Sequence, residues 1–380
     1  MGSLLPFLVL YYEQLGLTGQ QIGLIMGVAP LVTMLSAALW GGIADATQQH
    51  QRVLLVTLSG VILTIPAFLI TDQLAGLLLV VVVLGFFNAP IMPLIDNAVL
   101  GLLGSQSHRY GKIRLWGAIG FGISPPIVGY LVEARGIIWA FAIYVVLIGG
   151  CILIARRLPI QQTESILDSN QSQPDPEPSF WHKFRILMLN RSWVLFLLVI
   201  FITGMSAAVM QNYLFLYMNQ IGASETLMGI ALSVAMLGEI TLFLLSERLL
   251  KRYRPNQLLM FAMVGHALRL VLYSYISNPW LVLPVQVLHG CSFALIWITA
   301  VEYAKQLAPP GMGATAQGIL NSVNFGIASA IGSFAGGYLY QEMGPHLMFR
   351  WAGLSVLLGV ALLIGANGRT RVRAQVKGAL

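Results

Sequence analysis

Apolar runs of about 20 residues recur along almost the whole chain, separated by short stretches that contain charged residues, glycine or proline. About 20 consecutive apolar residues are what an α-helix needs to cross the hydrocarbon core of a bilayer. The pattern therefore predicts an all-α membrane protein with twelve transmembrane helices. Their predicted ranges are 3–15, 21–44, 53–70, 74–103, 112–133, 136–156, 191–217, 224–249, 256–276, 279–304, 314–340 and 345–367.

The first predicted helix is unusually short. Its stretch GSLLPFLVLYY covers only about half of a bilayer. A charged amine at the middle of a membrane is costly. We therefore expect the true helix, or the natural reading frame, to begin before Met1.

One long polar segment, QQTESILDSNQSQPDPEPSFWHKFR at 161–185, divides the helices into two groups of six. Its proline content and polarity predict a flexible linker followed by a short interfacial helix. The predicted domains are an N-terminal six-helix bundle over 1–158, a cytoplasmic linker over 159–190, and a C-terminal six-helix bundle with a basic tail over 191–380.

Composition supports the membrane assignment and argues against an enzyme. The chain is 57% hydrophobic and 9% charged, whereas soluble domains carry about 25% charged residues. Its two cysteines, Cys151 and Cys291, have neither metal-ligand spacing nor a disulfide pattern. The sequence offers no Ser-His-Asp arrangement and no H-x-x-x-H motif. We therefore expect no enzymatic activity, no metal and no cofactor. The expected coupling ion is the proton.

The formal net charge of +7 reflects topology. One alternate set of loops, with the linker and tail, carries 17 of the 21 basic residues, whereas the opposite loops carry only Arg135 and Arg350. Basic loops face the cytoplasm. The distribution predicts a multi-pass protein of the plasma (inner) membrane with a cytoplasmic C-terminus. Its expected partners are the lipid bilayer and a small-molecule substrate; no nucleic acid is needed to explain the charge, and a monomer is expected.

The two halves repeat each other. The stretch FGISPPIVGYLVEARG at 121–136 is echoed by FGIASAIGSFAGGYLYQEMG at 325–344. A second echo, at an offset of 202 residues, places Asp45 against Glu247 and Arg52 against Arg254. Repeated bundles are typical of transporters, in which the substrate site lies near the bilayer midplane. Asp45, Arg52 and Glu247 fall near predicted cytoplasmic helix ends, where gating or packing is the expected role.

Few ionisable residues lie deep in the predicted helices, and each costs at least about 2.5–3.5 kcal/mol if it faces lipid alone. They are Asp96, Arg114, Glu239, His266, Arg269 and His289. Asp96 and Arg114 lie on consecutive antiparallel helices, so the arginine is the nearest plausible counter-charge for the aspartate. Its planar fork can bind a carboxylate or a ligand's hydroxyls. The alternative is a structural clamp between two helices.

Glu239, Arg269 and His289 form a second set on three successive helices. Burial favours the neutral form of a carboxyl group, and a nearby arginine favours the charged form. That tension suits a proton-coupling site. A static Glu239–Arg269 pair and a hydrogen-bonded bundle histidine are the alternatives, and the second alternative applies most strongly to His266.

With these residues, the sequence resembles transporters of the major facilitator superfamily. More narrowly, it resembles the branch that contains lactose permease and the phenylpropionate permeases. The most specific element is the 18-residue separation of Asp96 and Arg114, with YGKIRLWG around the arginine. The stretches GEITLF, HALRLV and VLHGCSF match the segments that carry the family's glutamate, arginine and histidine. The resemblance implies two six-helix bundles, substrate binding by Asp96 and Arg114, and proton-coupling or binding roles for the other three residues.

The resemblance also indicates further candidate binding residues, and the sequence departs from the family pattern at several positions. Phe121 falls where the family stacks an aromatic ring on sugar, and Trp116 is a second candidate platform, with packing as the alternative for both. Ser292 stands where the sugar permease has a second acid, and GGIADATQQHQR keeps only part of the family's loop motif. In place of the family's charge pairs, the sequence offers Gln211, Asn212, Asn321 and Asn324 as polar candidates.

The sequence thus predicts a secondary active transporter that couples protons to a small organic solute, such as a sugar, a nucleoside or an aromatic acid. An uncoupled facilitator or exporter is the main alternative. A membrane receptor or enzyme on the same scaffold is a further one.

Overall fold

The computed structural model describes residues 2–157, 180–309 and 311–378, and within these ranges the chain is helical with no strand. The first group of helices comprises α1 (Leu5–Gln14), α2 (Gly19–Thr47), α3 (His50–Ile70), α4 (Leu74–Asn88), α5 (Ile91–Leu103), α6 (Tyr110–Arg135) and α7 (Ile138–Arg157). The second group comprises α8 (Phe180–Leu189), α9 (Arg191–Gln220), α10 (Glu225–Arg252), α11 (Pro255–Tyr273), α12 (Val282–Gln286), α13 (Ile296–Leu307), α14 (Gly313–Asn321) and α15 (Ser329–Gly378).

The predicted all-α membrane fold is confirmed. Among the described residues, eight helical stretches are long and apolar enough to cross a membrane, and one of them, 313–365, contains two predicted spans. The other predicted spans correspond to the 10-residue α1, to α11 and to the interrupted stretch 279–307. Most of the predicted linker lies outside the described residues. The short helix α8 begins at Phe180, within the predicted linker, and continues past residue 185, after which a short interfacial helix was expected.

Three of the predicted helices contain local departures from regular α-helix. The helix at 74–103 breaks before Pro90, because proline lacks the backbone N–H and its ring clashes with the preceding turn. The helices at 279–304 and 314–340 contain π-helical turns at Cys291–Leu295 and Ser322–Ala328. A π-turn inserts one residue without changing hydrophobicity, so the apolar pattern does not reveal it.

The chain divides into two compact units. Unit 1 comprises residues 1–177 with 224–229, and unit 2 comprises residues 178–223 with 230–380. The first turn of α10 is counted with unit 1 because it packs on α6 backbone to backbone. A Cβ atom on Gly129 would lie 2.2 Å from the carbonyl oxygen of Glu225, and one on Gly229 would lie 2.3 Å from that of Pro125.

Aromatic side chains from α1, α3 and α7 form the core of unit 1. Phe7, Tyr12 and Phe68 are completely buried, and the Tyr11 ring meets that of Phe141 edge to face with centroids 5.0 Å apart. The Tyr11 hydroxyl donates to the Phe68 carbonyl oxygen at 2.5 Å. The short α1 is therefore held inside the unit by packing and by a buried hydrogen bond.

In unit 2, α9 packs against α15 and α11. The buried Tyr217 hydroxyl lies within hydrogen-bond distance of the carbonyl oxygens of Tyr273 and Ile276, which ties α9 to the C-terminal end of α11. Gly332 allows the closest approach between α9 and α15, since a Cβ atom there would lie 2.4 Å from the Met205 carbonyl oxygen. Small residues at such crossings let helix backbones touch, as is common in membranes.

We expect Gly332→Ala to destabilise the folded protein by about 1–3 kcal/mol, because the new methyl group meets backbone that cannot move aside. The matched control is Gly365→Ala, on the helical segment after the break at Gly344, because a Cβ atom on Gly365 would meet nothing within 4 Å. Thermal unfolding of detergent-purified protein measures both. Equal melting temperatures for the two variants would contradict the close α9–α15 contact.

Candidate functional site

The polar centre of unit 2 begins with a contact between two glycines. A Cβ atom on Gly290 would lie 2.1 Å from the Gly238 carbonyl oxygen, and one on Gly238 would lie 2.6 Å from that of Val287. The backbones of α10 and of the segment 287–290 therefore touch at a point where only glycine fits. Each glycine adjoins a polar residue of the predicted coupling set, so the contact brings Glu239 to His289, with 3.5 Å between Oε2 and Nε2.

Arg269 lies beside them on α11 and is 1% exposed. Its Nε donates to the Tyr273 hydroxyl at 3.2 Å. Its Nη1 donates to Nδ1 of His289 at 2.8 Å and to the Ser292 hydroxyl at 3.0 Å, and its Nη2 donates to the side-chain oxygen of Gln286. All four acceptors are neutral. A buried cation needs such partners, because desolvation without them is very costly.

The contact with Arg269 determines which nitrogen of His289 carries the hydrogen. A guanidinium has donors only, so Nδ1 must accept and cannot be protonated. The ring is therefore neutral, with its hydrogen on Nε2, which points to the Glu239 carboxylate. Phe293 stacks on the imidazole at 5.7 Å with an interplanar angle of 1°, which holds the ring plane. Arg269, His289 and Glu239 thus form one chain of contacts, in which the histidine lies between the predicted partners Arg269 and Glu239.

Ser292 completes the cluster, at the position where the sugar permease that the sequence resembles has a second acid. Its hydroxyl accepts from Arg269 and donates to the His289 carbonyl oxygen at 3.0 Å. A neutral hydroxyl therefore contacts the guanidinium at this position. Tyr273 and Gln286 were not predicted as members of this cluster. The i, i+4 spacing of Tyr273 from Arg269 was an available signal, and Gln286 is an isolated polar residue in an apolar run.

Unit 1 holds the second polar cluster. Asp96 on α5 is half-buried, and the Tyr110 side chain at the start of α6 is hydrogen-bonded to it. Arg114, one turn further along α6, is close enough to act electrostatically on the same hydroxyl, and its Nη1 would lie 3.4 Å from a Cβ atom on Gly117. Asp96 and Arg114 therefore both act on the hydroxyl of Tyr110, a residue that the sequence analysis missed. Its i, i+4 spacing from Arg114 was the available signal.

The two candidate aromatic platforms follow Arg114 on α6. Trp116 is 73% exposed and Phe121 is 39% exposed. The Phe121 ring also lies against the start of the chain, where a Cβ atom on Gly2 would be 3.2 Å from it. Both aromatic faces are accessible at the surface of the protein.

The polar candidates of unit 2 differ in their surroundings. Asn212 donates to the Ser333 hydroxyl at 2.7 Å and so contributes to packing between α9 and α15. Asn324 lies in the second π-turn, Ser322–Ala328, and packs against α9. Asn321 donates to a carbonyl oxygen of its own helix at 2.9 Å, and Gln211 is exposed.

The three gating candidates have local partners. Asp45 lies 3.5 Å from Nε2 of His50, and Arg52 donates to the side-chain oxygen of Gln49 at 2.8 Å. Glu247 forms an exposed ion pair of 2.5 Å with a lysine one turn later on α10. These contacts lie within single helices or between neighbours in the chain.

Comparison with known proteins places these features in a family of transporters. The family model described as MFS_1 like family matches residues 1–351. The maltose permease of Geobacillus stearothermophilus is 27% identical over 99% of this chain and 93% of its own length. The probable 3-phenylpropionic acid transporter of Escherichia coli (strain K12) is 26% identical over 95% of this chain and 93% of its own length.

The crystal structure of the nucleoside transporter NupG shares the fold. It superposes with a TM-score of 0.82 at 20% sequence identity, covering 96% of this chain and 94% of that one. The fold, the permease relatives and the apolar helices identify a multi-pass membrane protein that acts as a secondary transporter of small solutes. Because the family model spans most of its length, the chain belongs to the MFS_1-like family of the major facilitator superfamily.

Proposed function

We propose that this transporter is a proton-coupled symporter of a small organic solute, and that Glu239 carries the coupling proton. The observation that carries the proposal is the chain of contacts from the buried Arg269 through His289 to Glu239. A membrane-embedded carboxyl group linked to a fixed cation is typical of proton-coupling sites.

The hydrogen bonds argue for the carboxylate as the proton acceptor. While Arg269 donates to Nδ1 of His289, that nitrogen has no free lone pair, and Nε2 already carries a hydrogen. An incoming proton therefore goes to Glu239, whose side chain is 17% exposed. Protonation removes the only charge that balances the guanidinium within this cluster, so the cluster changes from neutral to positive. Such a change biases one conformation of a carrier over another.

For the solute, we propose a site built on Asp96, Tyr110 and Arg114 in unit 1. A carboxylate accepts from hydroxyl groups, and a guanidinium fork donates to hydroxyl or carboxylate oxygens. Trp116 and Phe121 follow on the same helix as candidate stacking surfaces. The names of the relatives suggest three classes of solute to test: a sugar, an aromatic acid and a nucleoside. The polar side chains predicted in unit 2 are secondary candidates, namely Gln211, Asn212, Asn321 and Asn324.

We also propose a monomeric transporter of the inner membrane, without enzymatic activity, whose linker and C-terminus are cytoplasmic. The excess of basic residues in alternate loops supports this orientation. Asp45, Arg52 and Glu247 remain the proposed gating residues, because charged pairs at helix ends can form and break at low energetic cost.

An uncoupled facilitator or exporter is the second candidate function. Ser292 favours it, because a hydroxyl stands where the resembling sugar permease has a second acid, so a single carboxylate would have to do the coupling. Transport assays distinguish the two functions.

We expect Glu239→Gln to abolish accumulation driven by a pH gradient while binding and exchange of solute continue, because the amide mimics the protonated acid. A thermal-shift screen with maltose, 3-phenylpropionate and uridine first selects the solute, and proteoliposomes with and without an imposed pH gradient then measure uptake. Glu302→Gln, a half-buried acid near the C-terminal end of α13, is the control and should accumulate solute like the unsubstituted protein. Continued uphill uptake by Glu239→Gln would refute the assignment of the proton site.

We expect Arg114→Lys and Asp96→Asn each to weaken solute binding about tenfold or more, because a charge-assisted hydrogen bond is worth about 1.5–3 kcal/mol and lysine cannot supply a planar fork. Tyr110→Phe removes a neutral hydroxyl and should cost about 0.5–1.5 kcal/mol. Isothermal titration calorimetry on folded, purified variants measures these losses.

The matched control for these variants is Arg109→Lys. Arg109 is an exposed arginine of the preceding turn that donates to Gln106. Its substitution should leave the solute affinity unchanged. Normal affinity in Arg114→Lys would instead assign the Asp96 cluster a purely structural role.

A further inference from the structure

The short helix α8 carries two large apolar side chains on its exposed face. Trp181 is 73% exposed and Leu189 is 76% exposed. Arg185 is also exposed, and it lies four residues after the first and four residues before the second. Residues four apart are neighbours on one face of an α-helix, so these three side chains form a row along α8. On the opposite face Leu187 is completely buried and holds the helix against unit 2.

The position of α8 follows from the way in which α9 begins. Asn190 has an extended backbone, and its side-chain oxygen accepts from the N–H groups of Ser192 and Trp193 at 3.0 Å and 3.4 Å. This cap makes α9 a separate helix that α8 does not continue. The 10 residues of α8 span only about 15 Å, which is too short to cross a membrane.

The length of α9 places α8 at the level of the lipid headgroups. With 30 residues, α9 is about 45 Å long, whereas the hydrocarbon core of a bilayer is about 30 Å thick. Both ends of α9 can therefore reach the headgroup region. α8 ends one residue before α9 begins, and it contacts α14 as well as α9. We infer that α8 packs on unit 2 within this region.

The sequence around the row is positively charged. Besides Arg185, α8 carries the half-buried Lys183, and the exposed Arg191 is the first residue of α9. From residue 180 to residue 224 the sequence contains no aspartate and no glutamate. The surface on which the row lies is therefore complementary to a negatively charged headgroup.

The headgroup region suits all three side chains of the row, whereas water and hydrocarbon do not. Large apolar side chains are unfavourable in water, and a guanidinium is costly in hydrocarbon. Between these two environments, an indole ring can face the acyl chains while its N–H faces water. A guanidinium at the same level can donate through its planar fork to phosphate oxygens.

We propose that the row of Trp181, Arg185 and Leu189 is a binding surface for an anionic phospholipid. Arg185 binds the headgroup phosphate, and the two apolar side chains on either side of it contact the acyl chains. A phosphate is common to all phospholipids, and the positive surroundings select a headgroup with a net negative charge. The bound lipid fixes α8 to the membrane at the start of unit 2, independently of the solute and of proton coupling.

Quenching of tryptophan fluorescence by brominated lipids measures which lipid lies against Trp181. The full-length protein is reconstituted into phosphatidylcholine vesicles that contain an equal minor fraction of either brominated phosphatidylglycerol or brominated phosphatidylcholine. The chain has eight tryptophans, so the signal of Trp181 is the difference between each protein and the same protein with Trp181→Phe. The ratio of the two quenching efficiencies gives the preference for the anionic lipid.

We expect the unsubstituted protein to prefer the brominated phosphatidylglycerol, and Arg185→Gln to lower this preference about fivefold, the factor expected for one cation near an anionic surface. Arg185→Ala should have the same effect, and Arg185→Lys should keep most of the preference because it keeps the charge. The control is Arg109→Gln, which removes an exposed arginine of unit 1 and should leave the quenching of Trp181 unchanged.

Three results overturn the proposal. Equal quenching by the two lipids in the unsubstituted protein means that α8 does not select anionic lipid. Quenching by neither lipid means that something other than lipid covers the row. An unchanged preference in Arg185→Gln or Arg185→Ala, with folding checked by size-exclusion chromatography, means that this arginine does not hold the headgroup.

Discussion

The buried guanidinium of Arg269 is the constraint around which the polar interior of unit 2 is built. A cation that is 1% exposed would be unstable in this bundle without hydrogen-bond acceptors, and it has them from Tyr273, Gln286, His289 and Ser292. Because these acceptors are neutral, the cation is balanced only through the His289 ring by Glu239. One carboxyl group is thereby connected through a single ring to a buried cation.

That arrangement depends on how closely the helix backbones approach. The contact of Gly238 with Gly290 allows α10 to touch the segment before the first π-turn, and a methyl group on either glycine would prevent it. The π-turn follows directly and adds a residue to the helix that carries His289 and Ser292. Segments of this kind occur often at functional sites, where they reorient side chains. Membrane helices lack a hydrophobic force that drives them together, so such small-residue crossings stabilise their packing.

The two units contain different polar chemistry. Asp96, Tyr110 and Arg114 of unit 1 are exposed or half-exposed, and suit groups that exchange partners with a solute. The cluster around Arg269 is mostly buried, and its side chains bond to each other, which suits a site that stores charge. The proposal of a proton-coupled symporter assigns one task to each cluster.

The sequence by itself determined the class of the protein, the helices and the ionisable residues that are candidates for the functional sites. Apolar runs of bilayer length predict membrane-spanning helices. Ionisable residues are costly within such runs, so the few that occur there are conspicuous. Candidates identified in this way are Asp96, Arg114, Glu239, Arg269 and His289. Tertiary structure decided the partners. The π-turns, the Gly238–Gly290 contact and the hydrogen bonds of Gln286 and Tyr110 depend on how helices meet, and hydrophobic periodicity carries no information about that. The tautomer of His289 follows only from knowing which donor or acceptor each ring nitrogen faces.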